Sequence, residues 1–221
     1  MIWLSSVTTV VAVLGVTVLA AFSPLMAVRT IDVMGTTRID ASAVRESLSS
    51  QLGKPLPLID YGGIRRELDR YRLIRSYSTE AVPPGTLVVR IVERTPIGLI
   101  RSGNAYDLVD QAGVVISSTV QKPGGYPVIT TSGRPGTSSA KQSFSASASV
   151  LAVLPSSLLP RVTAISASSA DDVSFTLGGK KVVWGSTSDA ELKATVLTAL
   201  LKAAPRASVY DVSSPHAPVT R

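Results

Sequence analysis

Cysteine is absent from this 221-residue chain, and histidine occurs once, at His216. That excludes a disulfide, a thiolate zinc site and a thiol nucleophile, and it fits a reducing compartment or an exported protein held by packing alone equally well. Aromatic residues make up only 5% of the chain, too few to interleave with basic residues along a single-stranded nucleic-acid groove. The net charge is +7, yet no segment is a basic arm: residues 29–103 carry twelve Lys/Arg against eight Asp/Glu, and residues 104–221 ten against seven. This spread argues against nucleic acid as a partner and leaves a weak attraction to anionic lipid or cell-wall polymer. Charge is missing altogether from residues 1–28. The run "IWLSSVTTVVAVLGVTVLAAF" there supplies about twenty apolar or small residues, enough to span a hydrocarbon core of about 30 Å as a helix. It predicts an uncleaved anchor over 1–28. A signal peptide cut after Val18-Leu19-Ala20 is the competing reading, against which stand the length of the run and the lack of a basic region before it. Arg29 and Arg38 follow the span, so the positive-inside rule alone would keep the bulk of the chain in the cytoplasm, and sidedness stays open at this point.

What is present after Val28 is a pattern of short periodic segments. "VRTIDVMG" alternates Ile31 and Val33 with polar neighbours and closes on Gly35, which predicts a strand and a turn. Asp40 is a good N-cap, with Ile39 and Val44 at staple positions, and Val44, Leu48 and Leu52 recur at helical spacing until Gly53 and Pro55 stop the helix. A second helix follows Asp60, where Ile64, Leu68 and Tyr71 make the apolar stripe and Arg65, Arg66 and Arg70 lie on the solvated face. "IRSYSTEAV" and "GTLVVRIVER" read as two strands joined by the Pro83-Pro84-Gly85 turn. Strand, helix, helix, strand, strand is the order of a small α+β domain, in which two helices cover one face of a three-stranded sheet.

That order resembles a POTRA domain, and the motifs around it resemble the FtsQ/DivIB family of bacterial division proteins. The residues carrying the resemblance are "IDVMG" (31–35), "GKPLPLID" (53–60), "LDRYRLIRSYSTEAVPPGTLVVRIVERTPIG" (68–98) and "LVDQAGVVI" (108–116). The Glu-Arg-x-Pro segment is its most specific part. Glu93 and Arg94 are adjacent on a strand and point to opposite faces, so they cannot form one acid/base site. Pro96 has no donor to continue a central ladder and holds Thr95 extended. Glu93, Arg94 and Pro96 are therefore expected to form a domain joint.

From Thr95 onward the chain reads as β-rich, with strands on either side of Gly103-Asn104 and another after Ala112-Gly113. Residues 130–149, rich in Gly, Pro and Ser, are expected to be a surface loop. An apolar helix candidate, "SVLAVLPSSL", and strands at "RVTAIS", "VSFTL" and "KKVVWG" follow. Ser188 to Glu191 then reads as a capping box opening a helix with Leu192, Val196 and Leu200 buried. "VVWG", a lysine-bearing helix and "VYDVSSPHAPVTR" are also similar to the family's closing segment. Candidate chemistry is thin here. Asp107 and Asp110 are the nearest thing to paired carboxylates, and Asp110 is better placed to cap the turn "DQAG". Ser138 and Lys141 spell S-x-x-K, but the companion motifs of penicillin-binding enzymes are missing. His216 has no Ser, Asp or Glu at motif spacing.

The expected architecture is therefore α+β: a single N-terminal transmembrane helix (1–28), a POTRA domain (29–94, β-α-α-β-β), and a β-rich domain (95–221) with an antiparallel sheet and a covering helix. The resemblance implies a non-catalytic divisome scaffold without a cofactor, single-pass in the cell membrane at the septum with its bulk extracytoplasmic. Its implied partners are FtsB/DivIC and FtsL, through which septal peptidoglycan synthesis by FtsW and FtsI is regulated. The family usually has a basic tail before the span, so a longer N-terminus is expected, and it tends to carry a charged partner-holding residue near Ser168 or Ser169. The C-terminal segment, as the last strand, should be a sheet edge. Tyr210, Ala217, Pro218, Val219, Thr220 and Arg221 are the expected partner-binding residues, with Arg65, Arg66 and Arg70 as a second surface. The rival readings are a membrane-anchored cell-wall hydrolase or transpeptidase, for which one histidine and no cysteine leave few candidates, and a POTRA component of polypeptide transport, for which no internal repeat is found.

Overall fold

The computed structural model describes residue 15 and residues 22–221, and the chain divides into two compact units, Met1–Arg94 and Thr95–Arg221. The expected anchor lies mostly outside the described residues. Its end, residues 22–28, does not: Ala27 and Val28 are buried in the first unit, Ala27 bridges Pro55, and Val28 exchanges backbone hydrogen bonds with Gly53 and Lys54. The folded unit thus begins before residue 29. Among the described residues no helix is long and apolar enough to cross a membrane.

In the first unit, strand β1 (Thr30–Met34) is followed by helices α1 (Ala41–Ser47) and α2 (Tyr61–Leu68), then by strands β2 (Ile74–Val82) and β3 (Thr86–Glu93). β3 is central, parallel to β1 and antiparallel to β2. Parallel neighbours need a long crossover, which the two helices and β2 supply. Side chains from one face of the sheet, Ile31, Val33, Leu87, Val89 and Ile91, close on Val44, Leu48, Ile64 and Leu68. Each full burial of this kind is worth about 1.5–3 kcal/mol. Asp40 and Asp60 cap the two helices by accepting from the amides of Ser42 and Gly63, both at 2.8 Å. The first helix is shorter than its periodicity predicts: after Ser47 the chain tightens into a 3-10 turn over Ser49–Gln51, which leaves Leu52 exposed and buries Gln51 instead. Gln51 earns that place by accepting from the amide of Asp60 at 2.9 Å.

The second unit is built on one nine-stranded sheet. Its strands are β4 (Pro96–Ser102), β5 (Ala105–Asp110), β6 (Val115–Thr119), β7 (Val128–Thr131), β8 (Val162–Ser169), β9 (Asp172–Leu177), β10 (Lys180–Gly185), β11 (Val209–Asp211) and β12 (Val219–Thr220). They lie in the order β12-β11-β10-β9-β8-β7-β4-β5-β6. The sheet is mixed and not antiparallel, because β4 with β7, β7 with β8, and β10 with β11 run parallel. Two helices make the last two of these crossovers: α3 (Ser138–Val153) joins β7 to β8, and α4 (Ala190–Ala203) joins β10 to β11. Most of the expected 130–149 loop is therefore helix. Serine is a mediocre helix former, which is why "SSAKQSFSASAS" reads as a loop. Burial of Ala140, Phe144, Ala148, Val150 and Leu151 overrides that preference. Ser143 is buried too, accepting from Ser132 N at 3.0 Å and donating to the Ala140 carbonyl at 3.1 Å.

The expected capping box also fails. Asp189 is the N-cap of α4, in the left-handed region with φ 52°, and makes no side-chain cap bond. The helix is rotated from the predicted stripe: Lys193, Ala194 and Leu197 are buried, Val196 and Leu200 only partly so, and Leu192 is exposed.

Candidate functional site

The chain's last strand closes one end of the large sheet. Tyr210 of β11 sits beside Val182 of β10, and β12 returns antiparallel with Thr220 opposite Tyr210 and Val219 opposite Asp211. The return is made by a turn in which Asp211 accepts from the amide and hydroxyl of Ser213, and Ala217 N donates to the Ser214 carbonyl at 3.0 Å. Arg221 then exchanges two 3.0 Å backbone bonds with Val209, and its carbonyl also accepts from Ser208 N at 2.7 Å.

This register decides which backbone groups are free. In an antiparallel pair the residues alternate between facing the partner strand and facing away. Since Arg221 and Val209 form a hydrogen-bonded pair, Thr220 turns its N–H and C=O to the open side. Pro218 presents a carbonyl there and, having no N–H, lacks a donor. β12 is the end strand of its sheet. Val219 is 46% exposed, and Ala217, Pro218 and Arg221 are exposed.

Tyr210 does not join them. It is fully buried; its hydroxyl donates to the Ala204 carbonyl at 2.6 Å and accepts from Lys180 Nζ at 3.2 Å, while the Lys180 ammonium lies 5.3 Å from the ring centroid. The same ammonium donates to the carbonyls of Pro205 and Ala207. Tyr210 thus anchors β11 beneath the edge and cannot offer its side chain to a partner.

The second expected surface is locally neutralised. Arg65 pairs with Asp69 at 3.9 Å, Arg66 with Asp60 at 3.6 Å and Arg70 with the partly buried Glu67 at 2.7 Å. Solvent-exposed pairs of this kind add little to stability, and together they leave a mixed-charge helix face in place of a cationic patch.

Glu93 ends β3 as a cap for the segment leading into α1. Its carboxylate accepts from the amides of Thr37 at 2.8 Å, Arg38 at 2.9 Å and Ile39 at 2.9 Å, and from the Thr37 hydroxyl at 2.8 Å. Desolvation opposes ionisation, but the backbone donors and the hydroxyl outweigh it and hold the carboxyl at about 2. Arg94 donates through Nε to the Arg72 carbonyl at 3.1 Å and through its amide to Leu73 at 2.7 Å. Pro96 is buried at the first position of β4, where a missing donor is tolerated.

The weighed catalytic candidates stay apart. Asp110 caps its turn, accepting from Ala112 N at 3.0 Å and Val114 N at 2.8 Å, and Asp107 accepts from the Ser118 hydroxyl. Ser138 and Lys141 sit exposed on the first turn of α3, and His216 is exposed in the turn before β12. Ser168 bonds Asp172, and the Ser169 hydroxyl accepts from Asp171 N. The residue that sequence reasoning missed is Lys193, 1% exposed, whose ammonium donates to the carbonyl and hydroxyl of Ser186 at 2.8 and 3.2 Å. Burial lowers its pKa, with Asp189 partly opposing. No local pattern announces it, because a lysine at this spacing reads as solvent-facing.

Comparison with known proteins agrees with this division of the chain. Residues 26–94 match the profile of the FtsQ-type POTRA domain, and residues 98–213 match that of the FtsQ/DivIB C-terminal region. The cell division protein FtsQ of Streptomyces bingchenggensis is 33% identical over 211 residues, covering 92% of this chain and 79% of that protein. FtsQ of Streptomyces collinus is 34% identical over 201 residues, covering 86% and 76%. The extracytoplasmic domain of DivIB from Geobacillus stearothermophilus aligns over 52% of this chain and 96% of its own length, at 17% identity and a TM-score of 0.38. With both profiles laid end to end along the described units, and relatives this similar along most of their length, the chain belongs to the FtsQ/DivIB family of cell division proteins.

Proposed function

We propose that this chain is a non-catalytic scaffold of the division machinery that captures an extended segment of a small coiled-coil division protein at β12. The partner is FtsB/DivIC-like, accompanied by an FtsL-like chain, and the assembly regulates septal peptidoglycan synthesis by FtsW and FtsI. The apolar segment before Ala27 anchors the chain in the cell membrane with both folded units outside the cytoplasm. The observation that carries the reading is the outward-facing N–H and C=O of Thr220 on the end strand of the sheet. An added strand would bond there, and Val219 gives it an apolar side chain to cover. Family membership supports a role in division over the hydrolase and transport readings.

The test is capture by the full-length chain from detergent-solubilised envelope. Wild type should retain FtsB-like and FtsL-like chains. Thr220→Pro removes the outward donor and places a ring on the open side, while the Arg221–Val209 bonds remain, and it should cut capture at least tenfold. Undiminished capture by a folded Thr220→Pro variant would refute the edge reading.

A further inference from the structure

Helix α4 borders a second surface, away from the strand edge. A groove of about 520 Å³ runs along it, walled by Val153 at the end of α3 and by Pro155 just beyond it, and floored by Ala194, Thr195, Thr198 and Ala199, with Glu191 and Lys202 at its two ends. The threonine hydroxyls are already spent within the helix: Thr195 donates to the Glu191 carbonyl at 3.0 Å and Thr198 to the Ala194 carbonyl at 2.8 Å. The floor therefore offers small, largely hydrocarbon surface that lets another helix approach closely. Among the described residues neither Glu191 nor Lys202 is engaged in an ion pair.

The six residues have an internal symmetry. Glu191 and Lys202, Ala194 and Ala199, and Thr195 and Thr198 are placed in pairs about one midpoint, between Val196 and Leu197. The two charges are eleven residues apart, about 16.5 Å along the axis. A second α4 laid antiparallel across that midpoint would meet alanine with alanine, threonine with threonine, and glutamate with lysine at both ends. This is the arrangement an isologous two-fold contact requires. Each charge also suits its own helix dipole, but the dipole does not account for the matched small residues between them.

We infer that α4 is the contact of a homodimer in which a second copy of this chain occupies the groove, with Glu191 of each copy facing Lys202 of the other. Two short helices bury far less than the roughly 1,200 Å² of a stable interface, so the contact is weak in dilute solution. It is independent of the β12 edge.

The lack of native cysteine makes the arrangement directly testable on the full-length chain in detergent micelles. A mixture of Glu191→Cys and Lys202→Cys keeps one charge pair and should form a covalent dimer at least tenfold faster than either variant alone. Trapping of Glu191→Cys with itself at the same rate as in the mixture, or no trapping at all, would overturn the proposal. Sedimentation supplies the second arm: Glu191→Lys alone should weaken self-association at least tenfold, and adding Lys202→Glu should restore it to within about threefold. A double variant as weak as the single one would mean that the groove holds a different chain, and would also overturn it.

Discussion

Glu93 illustrates how a charged side chain beside a strand end becomes structural. Its three amide bonds and the Thr37 hydroxyl fix the turn between β1 and α1, and ionisation is required to accept them all. The folded carboxyl titrates at about 2 against an ordinary value of 4.5, so the unfolded chain binds the proton more readily. The stabilisation is therefore fully present above pH 4.5 and is lost as the pH falls toward 2. After allowance for solvent screening it is on the order of 1–2 kcal/mol. Glu93→Gln should lower the stability of the first unit by that amount at neutral pH and remove the matching part of its acid sensitivity, as read by denaturant unfolding across pH 2 to 5. Gly35 is constrained differently. With φ at +82°, a Cβ there would stand 2.2 Å from the Ile91 carbonyl oxygen, so Gly35→Ala should cost about 2–4 kcal/mol in the same assay. Both requirements were partly legible in the sequence, since Gly35 closes a strand pattern and Glu93 stands at its end. The partners were not, because Thr37 lies 56 residues from Glu93 and only the β1–β3 pairing brings them together.

At the scale of elements, the first unit was read nearly complete because its helices carry caps and its strands alternate. The second unit was read less well, and one error propagated. With residues 130–149 taken as a loop, only the short helix candidate "SVLAVLPSSL" is left between β7 and β8, where the crossover helix in fact starts at Ser138, and the expected sheet is antiparallel. The serines of α3 are the cause, since helix propensity is a weak prior that tertiary burial overrides. Ser147 is the extreme case, buried with a hydroxyl that has no hydrogen-bond partner. An orphaned buried hydroxyl is costly and alanine is the better helix former. Ser147→Ala should therefore stabilise the second unit by about 1 kcal/mol, measured as a rise in the denaturant midpoint at unchanged m-value. The stripe of α4 was misplaced because periodicity alone treats Leu192 as core and Lys193 as surface. The structure reverses them through the Ser186 bonds to Lys193.

For the whole molecule, β12 lies at the end of its sheet, as expected of the C-terminal segment, while Tyr210, expected among the partner-binding residues, is buried. That Tyr210 faces the core follows from parallel pairing with β10, which depends on α4 as the crossover and is not visible in "SVYDV" alone. The proposed partner capture depends on backbone groups more than on side chains, so Val219→Ala should weaken binding by only about 1 kcal/mol, through lost apolar area, as read by titration of the purified partner. The most direct test of strand addition is amide hydrogen exchange by NMR on the full-length chain in micelles, with and without an FtsB-like partner. The account predicts that the Thr220 amide, open in the free protein, slows at least tenfold when the partner binds, while Val209 and Arg221, already bonded to each other, change little. Saturating binding with Thr220 exchanging at its free rate would contradict it.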